Sequence, residues 1–394
     1  MSWQRLQLEV ADLVRGYGGE LCRSSRLSAI QYKVINRIAS CRTAALGGHV
    51  DRCGGCGHER ISYNSCRDRH CPKCQGSQRA KWVAQRVERL LPVPYFHVVF
   101  TVPSELGPLI LRNQRLMYGI FFAAVAGTIK QIAADPKHLG AEVALTCVLH
   151  TWAQNLAFHP HLHCVASGGG LASDGRSWVT GGDKYFLPVK VLARLFRGKF
   201  LAAVGQAYQD GTLKTGDTDW FALKDRLYRT DWVVYAKAPF GGPEQVFKYL
   251  GRYTHRVAIS NQRLLGLNGD KVTFAVRDNA TGKMTGRLTL CAVEFLRRFL
   301  LHALPAGFVR IRHYGLTAGR NVHTKLAVAQ RLLNRRHIRC QRTARLGDRQ
   351  HTDYSVCPAC GEKRLALDRI LPKSAGRYVM NLIRGSPVTE SEAA

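Results

Sequence analysis

Phe158-His159-Pro160-His161-Leu162-His163-Cys164 places three histidines at alternate positions. Side chains of a β-strand alternate between faces, so His161 and His163 share a face and can converge on one metal ion. The flanks suit a strand: residues 143–149 read Val-Ala-Leu-Thr-Cys-Val-Leu, and Val165-Ala166 precedes Gly168-Gly169-Gly170. Trp152-Ala-Gln-Asn-Leu156 supplies the turn of a hairpin. His159 keeps the alternation but Pro160 disturbs it, which suits a role in orienting the hairpin or a bound partner rather than ligation.

Working outward, Tyr95–Val102 is rich in β-branched and aromatic residues and predicts a buried strand. Helical spacing covers Ile110–Ala134 and Pro136 closes it. The order strand, helix, strand, turn, strand predicts an α+β domain rather than a doubly wound sheet. Downstream come a helix over Val189–Gln209 and a strand at 233–236. Gly241-Gly242-Pro243 then opens a helix over 244–256, with Pro in its first turn. Tyr249 and Tyr253 are one turn apart on one face of that helix, which Arg256 continues. Residues 257–260, 271–277 and 287–290 read as strands, with Asn268-Gly269 as a hairpin signal, and 293–303 as a short helix. Phe308–Tyr314 alternates apolar and basic residues, so one face is expected to pack while Arg310 and Arg312 face a polyanion.

The 394 residues hold 58 Lys and Arg against 27 Asp and Glu, a formal charge of +31. Such an excess points to nucleic acid as partner, although a solvated basic surface would also carry charge. No leader-like apolar run follows the basic start and no stretch of about 18 uninterrupted apolar residues occurs, so the expectation is a cytoplasmic protein without membrane partners. Thirteen cysteines in a reducing compartment argue for metal rather than disulfides.

Residues 1–45 read as amphipathic helix. Then come Cys53-Gly-Gly-Cys56-Gly-His58 and Cys66-Arg-Asp-Arg-His70-Cys71-Pro-Lys-Cys74, two CxxC pairs 14 residues apart. That spacing predicts a structural Zn²⁺ on Cys53, Cys56, Cys71 and Cys74, with Cys66, His58 and His70 as further donors. Arg60, Arg67, Arg69, Lys73, Arg79, Lys81 and Arg86 surround the pairs, as suits a zinc module resting on phosphates. Cys357-Pro-Ala-Cys360-Gly361 is half of a second site, which Cys340 and His351 could complete.

A His-apolar-His strand, a tyrosine helix and strong positive charge suggest phosphoryl transfer to tyrosine on single-stranded DNA. A divalent ion on the imidazoles would act as Lewis acid, and a tyrosine hydroxyl would attack phosphorus to give a 5′-phosphotyrosine. Lys248, Arg252 and Arg256 lie where they could hold phosphate oxygens. Histidine pairs also occur as plain packing residues, and aromatics at helical spacing are usually core. A zinc hydrolase of the HxHxDH kind would need Asp-His where Cys164-Val165 stand.

His161-Leu162-His163, Tyr249-Leu-Gly-Arg-Tyr253, the zinc-knuckle N-terminus and residues 295–315 resemble the insertion-sequence-ninety-one family of rolling-circle transposases, the HUH two-tyrosine class. The resemblance covers roughly residues 20–330. It implies an HUH nuclease fold, a central antiparallel sheet with a tyrosine helix beside it. It also implies Mg²⁺ or Mn²⁺ as cofactor and nicking of single-stranded transposon ends. His161 and His163 become metal ligands, and Tyr249 and Tyr253 the nucleophiles. Such sites have a third ligand, for which Gln154 is the first choice and His150 the second. The implied layout is a helical and zinc-binding domain over 1–92, the catalytic domain over 93–325 and a basic tail with a CxxC knuckle over 326–394. The expected place of action is the bacterial nucleoid, and a homo-oligomer on DNA fits the class. A replication initiator or relaxase would share the chemistry, and a zinc-dependent DNA-binding regulator would lack it.

Overall fold

The computed structural model describes residues 8–74, 89–182, 187–237, 257–278, 284–336 and 355–374. Among them the chain forms twelve strands, β1 to β12 in chain order, with helices between, a mixed α+β architecture. It divides into two compact units, each assembled from separated stretches. The first comprises Met1–Gln75, Ile259–Ala303 and Arg339–Ala394, and the second Gly76–Ala258 and Leu304–Ile338. Sequence reading divided the chain serially near residues 92 and 325, because long-range strand pairing leaves no local mark.

In the first unit the helix Ala29–Ala39 opens with a capping box: the Gln31 side chain accepts from the Ser28 N–H at 2.8 Å. Gln31 Nε2 also donates to the Leu300 carbonyl at 3.1 Å. The helix Ala292–Leu300 buries Phe295, Leu296, Phe299 and Leu300 and packs on the helix Val10–Ser24. Strands β8 (Leu264–Asn268), β9 (Lys271–Val276) and β10 (Gly286–Cys291) form an antiparallel meander. Residues 257–260, expected as a strand, are irregular instead: Ala258 sits at φ 59°, outside the β region. A second three-stranded sheet joins β1 (Gly48–Cys53), β2 (Glu59–Tyr63) and β12 (Leu365–Leu371) in the order β12-β1-β2.

The second unit is built on a six-stranded sheet. Its strands are β3 (Tyr95–Thr101), β4 (Ala141–Trp152), β5 (Phe158–Ala172), β6 (Trp178–Thr180), β7 (Val234–Lys237) and β11 (Ile311–Gly315). The path runs β11-β4-β5-β3-β7 with β6 on β5, and every pairing is antiparallel. Gly168 and Gly170 let β5 lie close to its neighbours. A Cβ on Gly170 would meet the Glu142 carbonyl at 2.6 Å, and one on Gly168 the Phe96 ring at 2.9 Å.

One face of this sheet carries Val98, Phe100, Leu145, Cys147, Leu149, Leu162 and Cys164 into a large core. The helices Gln114–Ala134 and Val189–Gln209 cover it, with Phe196 in ring contact with Phe100, Phe121, Phe200 and Trp232. Gln114–Ala134 is long and apolar enough to cross a membrane by length and composition, but it is largely buried as this core helix. Among the described residues, the opposite face is covered at one end. There Tyr95, Val165, Trp178 and Leu171 pack with Leu326, Ala329 and Leu333 of the helix Lys325–Arg336. The other end of that face carries the histidines.

Candidate active site and metal centres

Register explains how the histidines meet. His150 of β4 lies directly across from His161 of β5, and Val99 of β3 across from His163, so His150, His161 and His163 share one face. The Nε2 atoms of His161 and His163 are 3.1 Å apart. The His150 ring centroid is 4.3 Å from that of His163 and 5.4 Å from that of His161. One nitrogen from each of the three can lie within 4.8 Å of the others. Two nitrogens each ~2.1 Å from a common ion are separated by roughly 3.0–3.4 Å at octahedral or tetrahedral angles, so the pair fits a shared ion.

The expected first choice for the third donor, Gln154, lies elsewhere. A bulge between His150 and Trp152 is followed by a tight turn in which Ala153 N–H donates to the Ala157 carbonyl. Gln154 is thereby carried onto the exposed hairpin tip, and His150, the second choice, faces the pair.

Each ring has its orientation set from behind. His161 Nδ1 donates to the His159 carbonyl at 2.8 Å, leaving Nε2 as the lone-pair nitrogen. His163 Nδ1 lies 2.8 Å from His97 Nε2 in nearly coplanar rings. If His163 is to present its Nε2 lone pair, Nδ1–H must donate to His97. Trp152 stacks on His150 at 4.5 Å. Burial pushes the His161 imidazole down to about 4 and that of His163 well below its ordinary range. His97 is held at about 4 by burial and then by Lys237. Neutral imidazoles are the form that binds metal. The sequence reading passed over His97, whose signal was a lone polar residue in the apolar run Tyr95–Phe100.

Several expected site residues fall outside this description or elsewhere in the fold. Tyr249, Tyr253, Lys248, Arg252 and Arg256 lie outside the described residues. Arg310 is buried at 7% exposure. The Arg312 guanidinium lies over the Phe122 ring at 4.4 Å and near Phe308 at 5.3 Å, on the core face of the sheet. Arg312 lies on the packed side of β11, where its planar cation stacks on aromatics.

Among the described residues, eight cysteines form two clusters, each different from the expected set. Cys41, Cys66, Cys71 and Cys74 come together, as do Cys53, Cys56, Cys357 and Cys360, with sulfurs within 4.8 Å in each. In the first, Cys41–Cys74, Cys66–Cys74 and Cys41–Cys71 sulfurs are 3.4–3.5 Å apart. The expected quartet of Cys53, Cys56, Cys71 and Cys74 is therefore split. The reason is the β1–β2 hairpin: Cys53 and Cys56 sit at its turn, whereas β2 runs back about 17 Å, at ~3.4 Å per residue, before the chain reaches Cys66. That end adjoins Cys41, where Arg42 N–H donates to the Asn64 carbonyl at 3.1 Å. Of the further donors foreseen, Cys66 is in a cluster, while His70 pairs with Asp68 at 2.8 Å and His58 receives the Cys53 N–H on its carbonyl. The basic residues near the pairs are partly neutralised, since Arg60 pairs with Asp51 and Lys73 with Glu9.

Comparison with known proteins places this arrangement. Residues 144–325 match a family described as "Putative transposase" and residues 13–102 one described as "Transposase zinc-binding domain", of the IS91 type. A "Putative transposase y4qJ" of Sinorhizobium fredii is 50% identical over 335 residues, 82% of this chain and 84% of its own length. The "Transposase for insertion sequence element IS801" of Pseudomonas savastanoi pv. phaseolicola is 28% identical over 316 residues, 76% and 73% of the two chains. No solved structure matches. A mixed α+β unit with a zinc-binding domain and these relatives define a transposase, an enzyme that cleaves and transfers DNA. The chain belongs to the IS91 family of insertion-sequence transposases.

Proposed function

We propose that this transposase cuts and rejoins single-stranded DNA at the ends of its element by HUH chemistry. His150, His161 and His163 hold a divalent ion, Mg²⁺ or Mn²⁺, and Tyr249 and Tyr253 are the nucleophiles. The observation that carries the reading is the convergence of three imidazoles, two of them held neutral by burial, on one face of an antiparallel sheet. When bound, the ion would polarise the scissile phosphate and offset its developing charge. The His159 carbonyl and His97 hold the rings with Nε2 forward. A tyrosine hydroxyl gives up its proton and bonds to phosphorus, the P–O3′ bond breaks, and the departing 3′ oxygen takes a proton. The 5′-phosphotyrosine keeps the bond energy for rejoining. Two tyrosines allow two successive transfers, with Lys248, Arg252 and Arg256 on phosphate oxygens. The chain leaves β7 at Lys237, twelve residues before Tyr249, and β7 borders β3 of the histidine sheet.

In the zinc-binding domain, Cys41, Cys66, Cys71 and Cys74 hold the structural Zn²⁺. Their sulfur separations approach the ~3.8 Å edge of a tetrahedron with 2.3 Å Zn–S bonds. Action at the bacterial nucleoid, assembled as a homo-oligomer on DNA, follows from the same reading.

The test is incubation of the full chain with labelled single-stranded end DNA, with Mg²⁺, Mn²⁺ or EDTA, followed by a denaturing gel and mapping of the linked residue. A metal-dependent covalent band on Tyr249 or Tyr253, lost in the Tyr249→Phe, Tyr253→Phe double variant, is expected. Cleavage persisting in that variant would remove both tyrosines from the role.

A further inference from the structure

We infer that Cys53, Cys56, Cys357 and Cys360 form a second, separate zinc site, and that its ion fastens the C-terminal stretch 355–371 to the N-terminal hairpin. The inference stands apart from the nuclease reading.

The two halves of the site are the same backbone device used twice. Cys53 N–H donates to the His58 carbonyl at 2.9 Å and Gly57 N–H to the Cys53 carbonyl at 3.0 Å. In the other half, Cys357 N–H donates to the Glu362 carbonyl at 2.8 Å and Gly361 N–H to the Cys357 carbonyl at 2.9 Å. Gly57 and Gly361 both adopt positive φ, 75° and 77°. Each loop therefore turns its two thiols to the same side, with a glycine where an L side chain would be strained.

The loops then face each other. Cys53 Sγ is 3.7 Å from Cys360 Sγ, and Cys56 Sγ is 3.6 Å from Cys357 Sγ. These separations are far beyond the ~2.05 Å of a disulfide and close to the ~3.8 Å edge of a ZnS₄ tetrahedron. Strand pairing holds them there: β12 lies antiparallel to β1 from Gly48 opposite Leu371 to Cys53 opposite Leu365, and Gly54 N–H donates to the Arg364 carbonyl at 3.0 Å.

Among the described residues, the buried cluster around the four thiols is small. Cys53, Cys357 and Leu365 make it up, while Leu367 and Ile370 of β12 are 62% and 75% exposed. Bringing together residues some 300 positions apart carries a loop-closure penalty, and this small cluster offers little apolar burial against it. A structural zinc ion contributes binding free energy directly to folding and supplies what this small sheet lacks.

Thiol footprinting of the whole zinc-loaded, reduced chain tests the proposal, with Cys291, an exposed thiol outside both clusters, as internal reference. Cys56 and Cys360 are as exposed as Cys291 in class. A zinc site makes them alkylate about ten-fold or more slower than Cys291 until a strong chelator is added, when Cys53, Cys56, Cys357 and Cys360 become reactive together. Alkylation of Cys56 and Cys360 at the Cys291 rate with zinc present would overturn the proposal. So would protection that the chelator does not lift. Independently, C357S/C360S should bind one zinc fewer than the parent and lose part of its thiolate-to-cobalt charge-transfer absorbance after Co²⁺ substitution. Equal metal content and an unchanged band would overturn it as well.

Discussion

His97 Nε2 lies 2.8 Å from His163 Nδ1, so one histidine on β3 sets the ring of another on β5. A ligating imidazole with its far nitrogen engaged is fixed in tautomer and direction, and loss of such a partner typically costs 10–100-fold in metal affinity or activity. Replacing His97 with Phe should therefore raise the Mn²⁺ concentration needed for half-maximal cleavage by roughly 10–100-fold while leaving DNA binding intact. His97→Gln, which keeps an acceptor, should recover part of the loss. Equal metal dependence in parent and H97F would show that His97 does not orient the site.

His150 and Gln154 make opposite predictions for the third donor. His150→Ala should abolish metal-dependent cleavage of single-stranded end DNA, whereas Gln154→Ala, on the hairpin tip, should cut within about two-fold of the parent, since surface substitutions are usually near neutral. The reverse pattern would return Gln154 to the metal. An all-imidazole set is also softer than a carboxylate one and should favour Mn²⁺ over Mg²⁺.

Burial depresses the imidazoles of His161, His163 and His97 below their ordinary value near 6.5. Above that value they are neutral in both folded and unfolded chains and stability does not depend on them. As pH falls from about 6.5 through about 4, the unfolded chain takes up protons that the native one does not, and stability drops. Thermal denaturation in EDTA should show Tm falling more steeply across this window for the parent than for a variant with all three changed to Asn. Parallel curves would mean that these imidazoles are not kept neutral in the fold.

Arg312 is predicted to act in packing. Arg312→Ala should destabilise the unit by about 1–2 kcal/mol through loss of its stem and its stacking on Phe122 and Phe308. The salt dependence of DNA binding should keep its slope, because no phosphate contact is removed. A slope reduced by about one would restore Arg312 to the DNA interface.

The histidine strand was legible because period-2 alternation is a local signal, and β5 does present His159, His161 and His163 away from buried Pro160, Leu162 and Cys164. The helix Val189–Gln209 was likewise readable from its spacing. The cysteine pairing was not, since CxxC spacing announces a knuckle without saying which other knuckle it faces. Cys41 had no spacing signal at all, and β1–β2 had to form before its place beside Cys66 could be known. The helix Trp220–Arg229 escaped notice because only Trp220, Leu223 and Leu227 are buried in it, a stripe too sparse to stand out among charged neighbours. The stacking of Arg312 on Phe122 and Phe308 was not legible, because alternation separates two faces without telling which one is covered.

In the sheet order β12-β1-β2, β1 is an interior strand because a segment more than 300 residues further along the chain lies beside it. During synthesis the β1–β2 hairpin waits for this strand until some 300 further residues have been made. A copy of the element that has lost its 3′ portion would encode a protein with that strand edge permanently bare, a template for pairing with other chains. Loss of the later segment is thereby felt in the earlier module, and copies lacking it would be expected to yield aggregating rather than competing transposase.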